Sequence, residues 1–202
     1  MIHIFVSKIP QTFDSQRAAE SFKSIFSGEK NTVYLEGILQ KKHPSARAQS
    51  LFALETLARG LESIGIDAAR LTLAKTPSGK PYFQGKELYF SISHDADTVA
   101  VAISGQDVGI DIQSSRGASR EQEIAQRFFT QNECDSIKSG ETDFLSVWTK
   151  REAYAKLTDT PLASMLKKEL QSGVFFEFLS LEQAKISVAT LNPDDVQITV
   201  LE

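Results

Sequence analysis

Two short segments of the chain place charged side chains at regular intervals. In VGIDIQ, residues 108–113, strand geometry would put the apolar side chains on one side and Gly109, Asp111 and Gln113 on the other. A carboxylate on the polar side of an apolar strand can hold a hard cation, because such ions prefer oxygen ligands. The alternative is a solvent-facing aspartate on an edge strand, and this segment alone favours that alternative.

The second segment, WTKREAYAK, spans residues 148–156. On a helix, Trp148, Glu152 and Lys156 are spaced four residues apart and therefore share one side. Taken alone, this segment favours an ordinary surface ion pair between Glu152 and Lys156, which would contribute only a few tenths of a kcal/mol.

A third group of polar side chains precedes these segments. In SISHD, residues 91–95, Ser91 and Ser93 share a strand face, and His94 lies where the strand ends. His94 could contact an anion or cap a turn, and Lys80 lies on a loop before this strand. The simpler interpretation is a structural histidine and a solvated lysine.

Composition limits the class of protein that presents these groups. The chain has 202 residues, of which 41% are hydrophobic and 24% charged, so it can bury a core without disulfides. The net charge of −4 argues against a duplex-DNA binder but allows a local basic pocket. Cys134 is the single cysteine, which excludes a disulfide framework and a cysteine-based zinc cluster. The N-terminal sequence predicts neither a signal peptide nor a membrane span, so we expect a cytoplasmic protein.

The pattern of apolar residues predicts an α+β fold with mainly antiparallel sheets. A leucine-rich stripe predicts a long helix over 45–64, and short gaps between β-like runs predict a β-meander. Thr130 and Glu133 fit a capping box that starts a new helix, and Thr142 can cap the helix that carries Glu152. The predicted meander strands are 87–93, 98–104 and 108–113, the other predicted helices are 119–130 and 142–157, and the tail from 173 to 202 contains strands.

Nucleotide- and metal-binding motifs such as G-x-G-x-x-G, the P-loop and H-E-x-x-H are missing from the sequence. Instead, SGKP, FSISH, VGIDIQ, RFFTQNE and WTKREAYAK follow one another in this order. This order resembles the surfactin-synthetase-activating class of 4′-phosphopantetheinyl transferases, which show GKP, a FNISHS-like strand, GVDIE, RFF-x-x-E and W-x-x-KEA-x-x-K. The resemblance covers roughly residues 44–162.

The resemblance implies an enzyme that transfers the 4′-phosphopantetheine group of coenzyme A to a serine of an apo acyl or peptidyl carrier protein. The by-product would be adenosine 3′,5′-bisphosphate. The implied fold is a pseudo-dimer of two similar α+β halves, 1–105 and 106–202, with coenzyme A and Mg²⁺ in the cleft between them. We expect a monomer whose partners include neither nucleic acid nor a membrane.

The same resemblance implies roles for individual residues. Asp111 and Glu152 would be the metal carboxylates, and Glu152 would also be the base for the incoming serine. Lys156 would contact the phosphate and stabilise or protonate the leaving bisphosphate. The remaining matches to coenzyme A contacts are Arg47, which would suit the 3′-phosphate, Lys80, Ser93 and His94.

The sequence departs from the family pattern in several places. Gln113 replaces the second carboxylate of GVDIE and would reach the metal directly or through water. Asp159 and Pro161 stand where the family has glycines, which puts the shape of the pocket in question. Arg151 stands where the family commonly has lysine, and before His43 only Lys41 and Lys42 remain of the usual lysine-rich stretch.

Two other functions stay open at this point. A degenerate relative would bind coenzyme A or a carrier protein without transfer, and Gln113 and the missing glycines motivate it. An unrelated metal-dependent phosphohydrolase would need more carboxylates or histidines than three scattered histidines provide. For a carrier protein, we expect a docking surface that involves residues 114–140.

Overall fold

The computed structural model describes residues 1–85, 87–115, 117–181 and 184–201. The helices of this part of the chain are α1 (Ser15–Ile25), α2 (Glu29–Leu39), α3 (Pro44–Ser63), α4 (Ala118–Phe128), α5 (Gln131–Ser139) and α6 (Phe144–Thr158). The strands are β1 (Ile2–Lys8), β2 (Leu73–Lys75), β3 (Pro81–Phe83), β4 (Tyr89–Asp95), β5 (Thr98–Ser104), β6 (Val108–Ser114), β7 (Phe175–Leu181), β8 (Ala184–Thr190) and β9 (Val196–Val200). None of the described helices is long and apolar enough to cross a membrane.

The strands form two main sheets and a small hairpin. The first sheet has the order β4-β5-β1-β9, the second has the order β6-β8-β7, and β2 pairs with β3. Pairing is antiparallel except between β1 and β9, which confirms the α+β class with mainly antiparallel sheets. The predicted meander is wrong for its third strand, because β6 pairs with β8 and not with β5.

The two sheets pack face to face, and helices cover their outer faces. Between the sheets, apolar side chains of β1 and β5 meet those of β6 and β8. The outer face of the first sheet packs against α1, α2 and α3 in the largest core cluster. The outer face of the second sheet packs against α6 through Ala153, Leu157 and Ala189. Strand β6 therefore has two buried faces, one against the first sheet and one against α6.

The alternation predicted for β6 is confirmed. Val108, Ile110 and Ile112 are buried in the core between the sheets. Gly109, Asp111 and Gln113 are also buried, on the face that α6 covers. The proposed boundary after residue 105 falls in the turn between β5 and β6, and β9 from the second half returns to the first sheet. The division into two halves stays a prediction.

Side chains of β4 join the edges of the two sheets. Ser91 Oγ accepts a hydrogen bond from the Ile110 N–H at 3.1 Å, and Asp95 Oδ2 accepts one from the Ser114 N–H at 2.7 Å. Both pairs are 19 residues apart, so β4 and β6 run in the same direction. Alternate side chains of one strand thereby satisfy backbone donors on the edge of the other.

Helix α6 lies unusually close to β6 at Gly109. A Cβ at this position would overlap the carbonyl oxygen of Ala153 and lie 2.6 Å from the backbone nitrogen of Leu157. These atoms belong to the backbone of α6, so they cannot move aside as a flexible side chain would. Glycine at 109 thus fixes the distance between the strand that carries Asp111 and the helix that carries Glu152.

We expect Gly109→Ala to lower the free energy of unfolding by about 1–3 kcal/mol, because the added methyl group must push α6 away from the sheet. Urea denaturation at constant pH measures this change. Gly105→Ala is the matched control, since its Cβ would have no atom within 4 Å, and it should change stability by less than about 0.5 kcal/mol. Equal effects of the two substitutions would contradict the close contact.

Candidate active site

Asp111 lies at the junction of β4, β6 and α6 and is only 2% exposed. Its Oδ1 accepts hydrogen bonds from Ser93 Oγ at 2.6 Å and from Lys156 Nζ at 2.8 Å. Its Oδ2 is buried and has no hydrogen-bond partner within the described part of the protein. A carboxylate oxygen that is removed from water without a partner is costly, so this atom is a candidate ligand for a cation.

Helix α6 presents two charged side chains to this junction. Lys156 Nζ donates to the Ile110 carbonyl oxygen at 2.9 Å as well as to Asp111. Glu152, one helical turn earlier, is half-buried and lines a pocket of about 210 Å³ together with Gln113 and Trp148. Trp148 and Glu152 thus line one pocket, and Lys156 reaches β6. This placement agrees with the expectation that the three side chains share one side of the helix.

Local sequence explains why α6 forms and how it is held. Asp143 caps its N-terminus by accepting from the Ser146 N–H at 2.9 Å, so the prediction of Thr142 as the cap is wrong. Thr149, on the buried face, forms a hydrogen bond of 2.6 Å with Ser187, the cross-strand neighbour of Asp111 on β8. This buried contact fixes the helix against the same sheet that carries Asp111.

The residues present fit a divalent cation such as Mg²⁺. Two carboxylates are available, of which Asp111 has an unpartnered buried oxygen, and the Gln113 amide lies two residues along the same strand face. Mg²⁺ is typically held by one or two carboxylates, with water and substrate phosphates as further ligands. Among the described residues, no group of three or more His, Cys, Asp and Glu side chains could hold a metal without such help.

A cluster of positive charge adjoins the carboxylates, although the chain as a whole is acidic. Burial lowers the pKa of His94, and the charges of Lys156 and Lys41 lower it further. Burial also lowers the pKa of Lys41, with a second contribution from Lys75. His94 on β4 thus lies near Lys41 and Lys156, and Lys41, which precedes α3, lies near Lys75 of β2. This arrangement favours a polyanionic ligand.

Comparison with known proteins agrees with this geometry. Residues 107–200, which contain β6 to β9 and both carboxylates, match the 4′-phosphopantetheinyl transferase superfamily. Over these residues the chain is similar to members of this superfamily. It is 28% identical over 161 residues to 4′-phosphopantetheinyl transferase gsp of Aneurinibacillus migulanus, covering 77% of this chain and 65% of the relative. It is 29% identical over 150 residues to 4′-phosphopantetheinyl transferase Sfp of Bacillus subtilis, covering 70% and 64%.

The chain spans less than two thirds of the length of these relatives. A shorter match, 32% identical over 85 residues, joins 39% of this chain to 44% of 4′-phosphopantetheinyl transferase AcpT of Salmonella typhi. The resemblance identified from the five motifs is confirmed at the level of the family. The roles of individual residues stay predictions.

Three of the residues predicted to contact coenzyme A form hydrogen bonds within the protein. Ser93 Oγ donates a hydrogen bond to Asp111, the carboxylate predicted to bind the metal. Lys80 Nζ donates to the Leu157 carbonyl oxygen at 3.3 Å, at the C-terminal end of α6, and burial lowers its pKa. Arg47, near the start of α3, donates to the Leu39 carbonyl oxygen at 3.2 Å. His94 lies in the positive cluster.

Asp159 explains how this chain tolerates the loss of a family glycine. It ends α6 in the left-handed conformation, with φ 52° and ψ 36°, where glycine is the usual residue. Aspartate adopts this conformation more readily than most residues. Its Oδ1 also accepts from Ser78 Oγ at 2.5 Å, which joins the SGKP loop to the end of the helix.

Sequence reasoning missed Lys75 as a member of the positive cluster. It precedes the loop that carries Lys80, and in the structure it ends β2 with its Nζ 5.0 Å from the centroid of the Tyr34 ring. The only available signal was its position five residues before the lysine of SGKP.

We expect the pKa of His94 to lie below 6.5, and Lys41→Gln to raise it, because one neighbouring positive charge is removed. Between the two pKa values the unfolded chain binds more protons, so this group makes unfolding harder as pH rises through that window. NMR titration of the imidazole measures the shift, with Lys23→Gln on α1 as the control. A His94 pKa at or above 6.5 would contradict the cluster.

Proposed function

We propose that this chain transfers the 4′-phosphopantetheine group of coenzyme A to a serine of an apo acyl or peptidyl carrier protein and releases adenosine 3′,5′-bisphosphate. The observation that supports it most directly is the unpartnered Oδ2 of Asp111, buried beside Lys156 and on the strand face that leads to Glu152. The relatives gsp and Sfp are both named as 4′-phosphopantetheinyl transferases.

Asp111, Glu152 and Gln113 are the residues that would hold Mg²⁺. When bound, Mg²⁺ would neutralise charge on the pyrophosphate of coenzyme A during transfer. Glu152 is only half-buried, and from its pocket it would accept the proton of the incoming serine, directly or through water.

Lys156 would act on the leaving group. Its ammonium group is held by the Ile110 carbonyl and by Asp111, which fixes its position without removing its charge. In this position it would stabilise the negative charge that develops on the leaving bisphosphate, or donate a proton to it. The cluster of Lys41, Lys75 and His94 would bind the other phosphate groups, and Arg47 would suit the 3′-phosphate.

Gln113 supports the alternative of a degenerate binding protein. It lies at the position where the family carries a third carboxylate, and a neutral amide attracts a cation less strongly. The buried and unpartnered oxygen of Asp111 favours the enzyme, since binding without transfer gives no reason to retain this arrangement. Action on the carrier as a monomer in the cytoplasm, without nucleic acid or membrane, stays part of the proposal.

We expect Asp111→Ala and Glu152→Ala each to lower kcat for transfer by about 10²–10³-fold, because each removes charge that acts on the transition state. Mass spectrometry of an apo carrier incubated with coenzyme A and Mg²⁺ measures transfer. Glu177→Ala, which removes an exposed carboxylate of β7, is the control and should keep wild-type rates. An active Asp111→Ala protein at limiting Mg²⁺ would refute the metal assignment.

We expect Gln113→Glu to lower the Mg²⁺ concentration that gives half-maximal rate, without a large gain at saturating Mg²⁺. The substitution adds one negative charge on the strand face of Asp111, two residues away, where its side chain can reach the same ion. The measurement is a Mg²⁺ titration of both proteins at fixed coenzyme A and carrier. Coincident curves would place residue 113 away from the metal, and an inactive native protein with an active variant would identify a degenerate enzyme.

A further inference from the structure

Arg151 is among the most deeply buried large side chains of the protein, although it carries a full charge. It lies on α6 directly before Glu152 and is 1% exposed. Successive helical residues point about 100° apart, so Arg151 faces away from the pocket that Glu152 lines. The motif comparison left this residue without a role, since no catalytic position matches it.

All three nitrogens of the guanidinium group have partners within the protein. Nε and Nη2 donate to the carboxylate of Glu133, the shortest of these bonds being 2.6 Å from Nη2 to Oε2. Nη1 donates to the Met165 carbonyl oxygen at 3.2 Å, and Nη2 donates to the Lys168 carbonyl oxygen at 2.9 Å. Arg151 thus links α6 to α5 and to the segment after α6, and it does not contact the reacting groups.

Glu133 performs two tasks with one carboxylate. Its Oε2 accepts from the Thr130 N–H at 2.9 Å and completes the capping box at the start of α5. The same group receives the fork of Arg151. The first turn of α5 is therefore fixed to α6 by the residue that also starts the helix.

Helices α4 and α5 have few other attachments to the protein. None of the residues in either helix is buried. They are held at the turn between them, where Phe129 is buried and the Lys167 N–H donates to the Phe128 carbonyl oxygen at 2.9 Å. Arg151 binds at this same turn, through Glu133 and through residue 168. A groove of about 800 Å³ lies between the two helices, and Phe129, Cys134 and Ile137 contribute to its walls.

This helical groove adjoins the candidate active site. Phe144, on the first turn of α6, lines both the groove and the pocket of Glu152 and Gln113. A macromolecule seated on α4 and α5 would therefore lie next to the pocket that Glu152 lines. The orientation of the two helices decides how such a partner meets the catalytic helix.

We propose that the Arg151–Glu133 pair is a positioning pair, which holds α4 and α5 against α6 so that the carrier protein presents its serine to Glu152. This inference rests on the proposed function. It assigns the pair to recognition of the carrier and not to coenzyme A, whose expected contacts in the positive cluster do not line the groove between α4 and α5. Loss of the pair should therefore affect the two substrates differently.

Two single substitutions test the pair without greatly changing the size of either side chain. Arg151→Lys keeps the charge but loses the planar fork that reaches Glu133 and two carbonyl oxygens together. Glu133→Gln keeps the capping box, which accepts glutamine, but removes the charge. Arg70→Lys is the matched control, because Arg70 forms an exposed ion pair with Asp67 in the first half of the chain.

We expect Arg151→Lys and Glu133→Gln each to raise the KM for the apo carrier about tenfold, while the KM for coenzyme A stays within about twofold of wild type. Hydrogen exchange of the α5 amides should accelerate in both variants, whereas that of α3 amides should not change. The control variant should match wild type in all three measurements.

The double substitution Arg151→Met with Glu133→Gln separates positioning from stability. It leaves no unpaired buried charge, so it restores folding if the single variants are destabilised. A positioning role predicts that the folded double variant keeps a raised carrier KM. A return of the carrier KM to the wild-type value would refute the proposal, as would equal increases of the carrier and coenzyme A constants.

Failure of the proposed function gives a different result. If wild-type protein transfers nothing from coenzyme A to any apo carrier tested, the transferase assignment fails and the kinetic test with it. In that case, the carrier-positioning proposal is also refuted, whereas the exchange of α5 amides still shows whether Arg151 fixes this helix. If wild type is active and the variants keep its carrier KM, only the positioning proposal fails.

Discussion

The close packing of α6 on β6 at Gly109 determines the geometry of the whole candidate site. Because no side chain separates the helix from the strand there, the backbones approach until Ala153 and Leu157 contact Gly109. Two residues along the strand, Asp111 needs a partner for its buried charge, and Lys156 on the same helix supplies it. A wider spacing would separate this pair and leave the carboxylate without compensation. The positions of Glu152 and Lys156 are therefore consequences of a backbone contact.

The buried carboxylate of Asp111 is only partly satisfied by hydrogen bonds. Ser93 and Lys156 both bind Oδ1, so one oxygen carries two hydrogen bonds while Oδ2 has none among the described residues. A protein selected only for stability would distribute these partners or replace the group with an apolar residue. Unsatisfied polar atoms concentrate at functional sites because the ligand supplies the missing partner. This atom is therefore better evidence of function than the number of charges nearby.

Local sequence patterns predicted helices that bury a single apolar stripe and strands in which apolar and polar residues alternate regularly. The leucine stripe of α3, the alternation of β6 and the capping box of α5 all appear where they were expected. The sequence did not reveal that β6 leaves the first sheet, because a three-residue turn is compatible with either pairing. Helix α2 was missed because it has no continuous apolar stripe, and β8 was not distinguished from the other strands predicted in the tail.

The site itself was predictable only to the extent that its residues lie in recognisable motifs. Contacts between distant segments, such as Arg151 with Glu133 or Lys75 with the positive cluster, depend on packing that no local spacing encodes.

The seam between β4 and β6 explains why the ordered motifs are informative together and weak separately. FSISH and VGIDIQ lie on edge strands of different sheets, and each edge alone exposes unpaired backbone groups. Ser91 and Asp95 satisfy such groups across the seam, while Ser93, between them, reaches Asp111. The same alternate positions thus join the sheets and complete the site. The strand that joins the two sheets thus also supplies a hydrogen bond to Asp111, so the structural and the chemical requirements fall on neighbouring residues of β4.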